Sequence, residues 1–163
     1  MMGFFAYIEQ FYLGKILATF LTAMLPVLEL RASVPLGISL GLDYRLVFFL
    51  SVLGNMIPVP FIIVLITKIM DFLALRSARF AAFKTKLYSH AEGKWAKVKK
   101  WQLFGLFVLV AIPLPGTGAW TGGLIAALIA LDFKKAMAAI FFGVLASGII
   151  VTLVCLGVGF FIA

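Results

Sequence analysis

Glu29 and Arg31 are the residues of this sequence best suited to chemistry, because both are charged and both interrupt an otherwise apolar stretch. Far from a membrane surface, an ionisable side chain costs several kcal/mol and normally faces a cavity or a partner. A carboxyl can carry a proton, and a guanidinium can hold a phosphate through two parallel hydrogen bonds. Glu29 is therefore a candidate proton site and Arg31 a candidate anion site. The alternative is a structural ion pair that fixes a turn.

A helix break is expected around these two charges. Residues two apart on a regular helix do not face each other, so an unbroken helix would not pair Glu29 with Arg31. Pro26 precedes them, and Pro35 and Gly37 follow them. A broken helix in a membrane frees backbone groups that can bind an ion or an anion. Pro35 and Gly37 are therefore part of the predicted binding site.

Residues 113 to 123 form a second, glycine-rich break that also contains two threonines and a tryptophan. Its glycines would let the backbone approach a ligand closely. If Ala119 to Leu131 is a helix, its N-terminus would present free N–H groups to an anion. Close helix packing through small residues would explain part of the same pattern. The predicted binding residues here are Pro113, Pro115, Gly116, Thr117, Gly118 and Trp120.

The remaining polar residues give weaker signals. Asn55 lies in an apolar run, where it would line a cavity or bond to a neighbouring helix. His90 is the only histidine and falls among basic residues, and Cys155, the only cysteine, excludes a disulfide within one chain. The sequence has no Gly-Lys-Ser/Thr phosphate loop, nucleophile–base–acid set or cluster of metal ligands. We therefore predict no enzyme activity, no cofactor and no metal.

The composition requires a lipid environment for these residues. The chain of 163 residues is 64% hydrophobic and 12% charged, with a mean hydropathy of +1.19, whereas about a quarter of a soluble domain is charged. The net charge of +8 does not indicate nucleic acid, because nine of the fourteen basic residues lie between Lys68 and Lys100. Such a basic segment between apolar halves is typical of a cytoplasmic loop. We predict a multi-pass protein of the inner (plasma) membrane with no cleaved signal peptide.

Uncharged runs predict the helices, since a spanning helix needs about 20 apolar residues. The runs that are too short to span are Ile16 to Leu28 and Ala32 to Leu42. The runs that are long enough are Leu46 to Thr67 and Ala136 to Ala163. The glycine-rich break divides the remaining run, Trp101 to Leu131.

The order of these runs repeats once along the chain. At an offset of 89 residues, four identities recur: Pro26 with Pro115, Leu42 with Leu131, Asp43 with Asp132, and Gly54 with Gly143. A unit with one full crossing reverses direction when it is repeated. We predict an all-α membrane domain (1–163) of two inverted repeats, each a re-entrant helical hairpin plus a transmembrane helix. Repeat one is 1–67, the basic connector is 68–100, and repeat two is 101–163.

Charge alone does not choose between two topologies. With re-entrant hairpins, eleven basic residues lie inside and two outside; with each broken element as a full kinked span, the counts are ten and three. Two interpretations of the connector stay open. It is either an amphipathic helix that would bind anionic lipid or a solvated linker. A homodimer would help to bury two broken backbones.

Two motifs carry a family resemblance: Glu29-Leu30-Arg31-Ala32-Ser33-Val34-Pro35-Leu36-Gly37 and the segment from Pro113 to Trp120. In both, the chain resembles the small multidrug export proteins, which are similar to a distant branch of the DedA/VTT superfamily. That resemblance implies two opposed re-entrant hairpins and proton-coupled movement of lipid phosphates, with Glu29 as the essential acid and Arg31 as its basic companion. The chain is shorter than typical DedA proteins and lacks their arginine before the second Pro-Gly.

The predicted function is therefore a membrane transporter or lipid translocase, proton-coupled, that moves a lipid phosphate or another amphiphile. Two alternatives stay open. In efflux of small cationic drugs, Glu29 would be the counter-charge and Trp120 a cation–π partner. In a non-transporting membrane scaffold, Glu29 and Arg31 would merely neutralise each other.

Overall fold

A computed structural model describes residues 2–77, 79, 81–82, 85, 99–114 and 116–162, and these ranges contain helices and no strand. The all-helical prediction is confirmed for this part of the chain. Within the described ranges, the helices with defined bounds are, in chain order, α1 Met2–Met24, α2 Glu29–Ser39, α3 Tyr44–Met56, α4 Pro58–Arg76, α5 Lys99–Ala111, α6 Ala119–Leu128 and α7 Phe133–Ile162. About half of the connector, including His90, lies outside the described residues, and its first part continues α4 as far as Arg76.

The first helical hairpin consists of α1 and α2, which pack on each other on either side of a turn at residues 25–28. α1 begins well before the uncharged run at Ile16, because Lys15 interrupts the apolar sequence without interrupting the helix. It ends two residues before Pro26, as expected for a residue that lacks a backbone N–H. α2 begins at Glu29 itself, so the two predicted charges lie in its first turn.

Helix α3 runs antiparallel to α2 in a fixed register. Ser33 Oγ donates a hydrogen bond of 2.6 Å to Ser51 Oγ, and one turn further along α2, Gly37 packs against Val47. Continuing this register in the other direction places Asn55 of α3 opposite Glu29 of α2. Both serines are fully buried, so their mutual hydrogen bond satisfies a polar pair inside the apolar packing.

The predicted span Leu46 to Thr67 is divided into α3 and α4 at Ile57, because Pro58 cannot donate a backbone hydrogen bond. Ile57 keeps helical dihedral angles, so the chain continues in the same direction. Tyr44–Arg76 comprises 33 residues, and Phe133–Gly157 in α7 comprises 25; both are apolar and long enough to cross a membrane. Thirty-three helical residues extend about 50 Å, more than the roughly 30 Å of a bilayer core.

The second hairpin, α5 and α6, is followed by α7, and local structure recurs here at the offset of 89. After α2, the amides of Leu40, Gly41 and Leu42 donate to carbonyls of the last turn; after α6, Ile129, Ala130 and Leu131 make the same three bonds. Gly41 and Ala130 both have positive φ, +79° and +53°. Asp43 then accepts from amides at the start of α3, and Asp132 does so at the start of α7.

The helices meet around α7, which packs against α5 and also against α2 and α3. Close approach depends on a glycine in each half. Gly54 of α3 faces the backbone of α1 at Phe20, and Gly143 of α7 faces the backbone of α5 at Phe107. A methyl group at either position would lie 3.0 Å or less from its neighbours, so these glycines allow each long helix to contact its own hairpin.

Candidate functional site

The Glu29 carboxylate binds the N-terminus of α6, at the junction of the two breaks. Its Oε2 accepts from the Ala119 amide at 3.3 Å and its Oε1 from the Trp120 amide at 3.1 Å. The first amides of a helix have no partner within the helix, and the preceding residue, Gly118, has no side chain to cap them. Glu29 supplies the missing cap from the other half of the chain, and its negative charge meets the positive end of the helix dipole.

This contact corrects one prediction. The start of α6 was expected to present free N–H groups to an anion, but the amides of Ala119 and Trp120 are occupied by the chain's own carboxylate. Glu29 is only 3% exposed, so the carboxylate is enclosed by protein rather than by solvent.

Arg31 binds the segment just before α6. Its Nη1 donates to the carbonyl of Leu114, and its Nη2 donates to the carbonyl of Thr117 and, at 2.9 Å, to Thr117 Oγ1. The break between α5 and α6 leaves these carbonyls outside any helix, and the guanidinium satisfies them. Glu29 and Arg31 therefore direct their hydrogen bonds to the second half rather than to each other, so the direct ion pair considered from the sequence is not formed.

Gly118 lies at a point of close approach between the two breaks. Its φ is +119°, a region that side chains avoid. A methyl group added there would lie 2.6 Å from Cδ of Glu29. The position therefore requires glycine twice, for its backbone conformation and for the space that the carboxylate occupies.

Trp120 joins the second break to the end of α1, because its Nε1 donates to the carbonyl of Met24 at 3.1 Å. That carbonyl belongs to the last turn of α1, where backbone acceptors have no helical partner. No sequence pattern could indicate Met24, because it contributes a backbone carbonyl and not a side chain.

Backbone strain accompanies these contacts. Val27 and Glu29 have φ of +75° and +48°, in the left-handed region that residues other than glycine seldom adopt. Each such residue costs about 1–3 kcal/mol and persists only where its surroundings hold it. For Glu29, the two amides of α6 provide that restraint.

Two buried polar groups at the junction have no hydrogen bond among the described residues. They are Arg31 Nε and both side-chain atoms of Asn55. Asn55 is 1% exposed and interacts with Glu29 from α3, although no hydrogen bond of normal geometry joins them. A buried polar group without a partner costs about 1–3 kcal/mol. The junction therefore contains two unused donors, Arg31 Nε and Asn55 Nδ2, and one unused acceptor, Asn55 Oδ1.

An apolar groove of about 800 Å³ opens beside the junction. It runs between the end of α1, the start of α4 and Trp120 of α6, so Trp120 belongs both to the groove and, through its backbone amide, to the junction. Its walls are Leu21, Met24, Leu25, Pro26, Ile57, Pro58, Phe61, Ile62, Leu65 and Trp120.

The family profile described as putative small multi-drug export protein matches residues 29–150 of the chain. The chain belongs to this family. The match begins at Glu29, directly after the first break, and includes the second break, so Glu29, Arg31 and the residues they bind fall within the family's own segment. No curated protein and no solved structure matches the chain. An exporter family and two long apolar helices together indicate a membrane protein.

The other predicted site residues of this family member are dispersed. Gly37 is buried against Val47 and Thr19, and Pro35 is exposed on α2. Gly37 is eight residues beyond Glu29, about 12 Å along the helix. Neither residue therefore reaches the junction, and Gly37 is a packing position.

In the second break, Pro113 is half-buried and Gly116 is exposed with φ +83°. Pro115 lies outside the described residues. The structure thus brings together Glu29, Arg31, Asn55, Thr117, Gly118 and Trp120. Among the described residues, no group of three His, Cys, Asp or Glu side chains could hold a metal ion.

Proposed function

We propose that this protein is a proton-coupled exporter of amphiphilic molecules, in which Glu29 exchanges the proton. The observation that carries the proposal is the Glu29 carboxylate bound to the amides of Ala119 and Trp120, beside an apolar groove. One ionisable group thereby holds the two halves of the molecule together at the substrate path.

The lengths of the short helices favour opposed re-entrant hairpins. α2 has 11 residues and α6 has 10, about 15 to 17 Å each, or half of a bilayer core. Helices of that length would reach the middle of the membrane and return, one from each side. The contact between their N-terminal residues would then lie near the midplane, where transporters with inverted repeats bind their substrates. This arrangement supports the DedA-like architecture of the proposal.

Protonation of Glu29 would release the contact. A carboxylate can accept from both amides of α6, whereas the protonated group loses its charge and turns one oxygen into a donor. One of the amides of Ala119 and Trp120 would then lack its acceptor, close to the unused groups of Arg31 and Asn55. Those donors together would hold the anionic headgroup of a substrate. The proton and the anionic headgroup would bind in the same step, because the proton removes the negative charge of Glu29 and the headgroup replaces it.

The groove provides room for the apolar part of the substrate. Its walls are hydrophobic, and Trp120 belongs both to it and to the junction. A lipid phosphate or a similar amphiphile fits both parts, with its tail in the groove and its phosphate at the freed amides. The family description favours a second candidate, a cationic drug, for which Glu29 would be the counter-charge and Trp120 an aromatic face.

Transport by purified protein in vesicles distinguishes these candidates. A fluorescent lipid phosphate and a fluorescent drug cation are compared, with and without a pH gradient across the membrane. The proposal expects a pH gradient to drive movement of the lipid phosphate. Gradient-driven movement of the cation alone would favour drug efflux, and movement of neither probe would favour the scaffold.

A further inference from the structure

A second groove, separate from the junction, lies between the start of α3 and the C-terminal part of α7. It has a volume of about 280 Å³. Gly148 of α7 packs against Phe48 and Val52, which fixes how the two helices lie against each other. The groove is lined by Tyr44, Arg45, Phe48, Phe49, Ile149, Thr152, Leu153 and Leu156.

Thr152 gives this groove a polar point. The residue is 7% exposed, lines the groove, and its hydroxyl has no hydrogen-bond partner among the described residues. Most buried hydroxyls in proteins are paired, and an unpaired one loses about 1–3 kcal/mol. The hydroxyl oxygen is itself almost fully buried, so the carbonyl oxygen of an amphiphile in the groove would reach it after rotation of the Thr152 side chain about χ1.

Arg45 places a positive charge in the wall of the same groove. Its guanidinium lies 5.5 Å from the centre of the Tyr44 ring, and its Nε donates to the Tyr44 hydroxyl at 3.1 Å. The neighbouring Asp43 uses Oδ1 to accept the backbone amides of Arg45 and Leu46. Tyr44 therefore orients the guanidinium, whose terminal nitrogens form no other hydrogen bond in the described part of the chain.

We propose that this groove binds an anionic glycerophospholipid. An acyl chain lies along Phe48, Ile149 and Leu153, the ester carbonyl accepts from the Thr152 hydroxyl, and the phosphate lies on Arg45. The combination of an apolar wall, one unpaired hydroxyl and one oriented guanidinium matches the three parts of such a lipid in order. Arg45 is ten residues from Asn55 on α3, about 15 Å along the helix, so this lipid site is distinct from the substrate path.

Lys134 offers a matched control, because the Asp-aromatic-basic step of Asp43-Tyr44-Arg45 recurs as Asp132-Phe133-Lys134. Lys134 is exposed at the start of α7 and does not line the groove. Removal of its charge changes the net charge of the protein by the same amount as removal of the Arg45 charge. If the lipid were bound only through the net positive charge of the protein, removing the charge of Arg45 or of Lys134 would weaken binding equally.

Native mass spectrometry of the full chain in detergent tests the proposal, with titrations of phosphatidylglycerol and phosphatidylcholine of equal chain length. We expect one tightly bound phosphatidylglycerol, weakened about tenfold by Arg45→Gln and unchanged by Lys134→Gln. Thr152→Val should weaken both lipids about threefold, and Ile149→Trp should block both by filling the groove. Melting temperatures near that of the wild type show that each variant is folded.

Three results would overturn the lipid site. They are equal affinity of phosphatidylglycerol for the wild type and Arg45→Gln, equal losses in Arg45→Gln and Lys134→Gln, and full displacement of the lipid by excess inorganic phosphate. The last result would mean that Arg45 holds a free anion rather than a headgroup.

Discussion

At the scale of single residues, Glu29 and Arg31 belong to the first half of the chain but form their hydrogen bonds with the second half. Glu29 caps α6, and Arg31 binds the carbonyls of the preceding break, across sequence separations of 83 to 91 residues. A charge that stabilises a contact between two halves also controls that contact, because loss of the charge weakens it. This dual role is the basis of the first two predictions.

Gly118→Ala should displace Glu29, whereas Gly116→Ala should not. Both positions have positive φ, so both substitutions carry a backbone cost of about 1–2 kcal/mol. Only at position 118 would the new methyl group meet the Glu29 carboxylate; at position 116 nothing lies within 4 Å. Loss of the two bonds from α6 should add about 1.5–3 kcal/mol to the destabilisation by Gly118→Ala. Thermal unfolding in detergent measures the difference, and equal melting temperatures would refute the close contact.

Arg31→Gln should destabilise the protein by about 2 kcal/mol, because the carbonyls of Leu114 and Thr117 lose a charged donor. Arg31→Lys should recover only part of this, since lysine lacks the planar fork that reaches both carbonyls. In the double variant Glu29→Gln, Arg31→Gln, the loss should exceed that of either single variant but fall short of their sum, because the two charges also attract each other. Stability close to that of the wild type would instead indicate a structural ion pair.

The residue types of this site could be predicted, but their partners could not. Two charges in an apolar run identify Glu29 and Arg31 from the cost of burial alone. Their partners are backbone amides and carbonyls, which every residue possesses, so no sequence pattern distinguishes Ala119 or Leu114. Gly118 was predicted as a point of close backbone approach, whereas the identity of the group it meets, the Glu29 carboxylate, required the fold.

At the scale of helices, proline and glycine determine where each element ends, and the sequence predicted these points well. The breaks at Pro26 and at residues 113 to 118 both separate helices. The division at Ile57 was not predicted, because the apolar run continues through Pro58 without a polar residue. Hydropathy indicates whether a segment lies in lipid or in water. It does not detect the missing backbone N–H of Pro58, which divides the helix.

Labelling of single cysteines tests how these elements lie in the membrane. With Cys155 replaced, cysteines at Lys15 and Asp43 should react with an impermeant maleimide from outside intact cells. Cysteines at Arg76 and Asp132 should react only after permeabilisation, since in the proposed topology α3 and α4 together cross the membrane and α6 returns to the inner side. Reaction of positions 15 and 43 from opposite sides would mean that the first hairpin spans the bilayer.

At the scale of the whole molecule, two helical hairpins and two long apolar helical segments together enclose the broken backbone. Irregular backbone is tolerated in a membrane only where protein surrounds it. Here each break is enclosed in part by the other: Glu29 and Arg31 bind the second break, and Trp120 binds the end of the first helix. The two hairpins therefore stabilise each other, and separating them exposes polar groups to a new partner.

The most direct test of the account is proton-driven accumulation by Glu29→Gln in reconstituted vesicles. Glutamine keeps the shape of the side chain but cannot exchange a proton, and its amide nitrogen faces an amide donor of α6. A pH gradient should drive accumulation of the fluorescent lipid phosphate by the wild type and by Lys134→Gln. Glu29→Gln, folded as judged by its melting curve, should bind the probe but show no accumulation above that of empty vesicles. Accumulation by Glu29→Gln at the wild-type rate would contradict the role of Glu29 as the proton site.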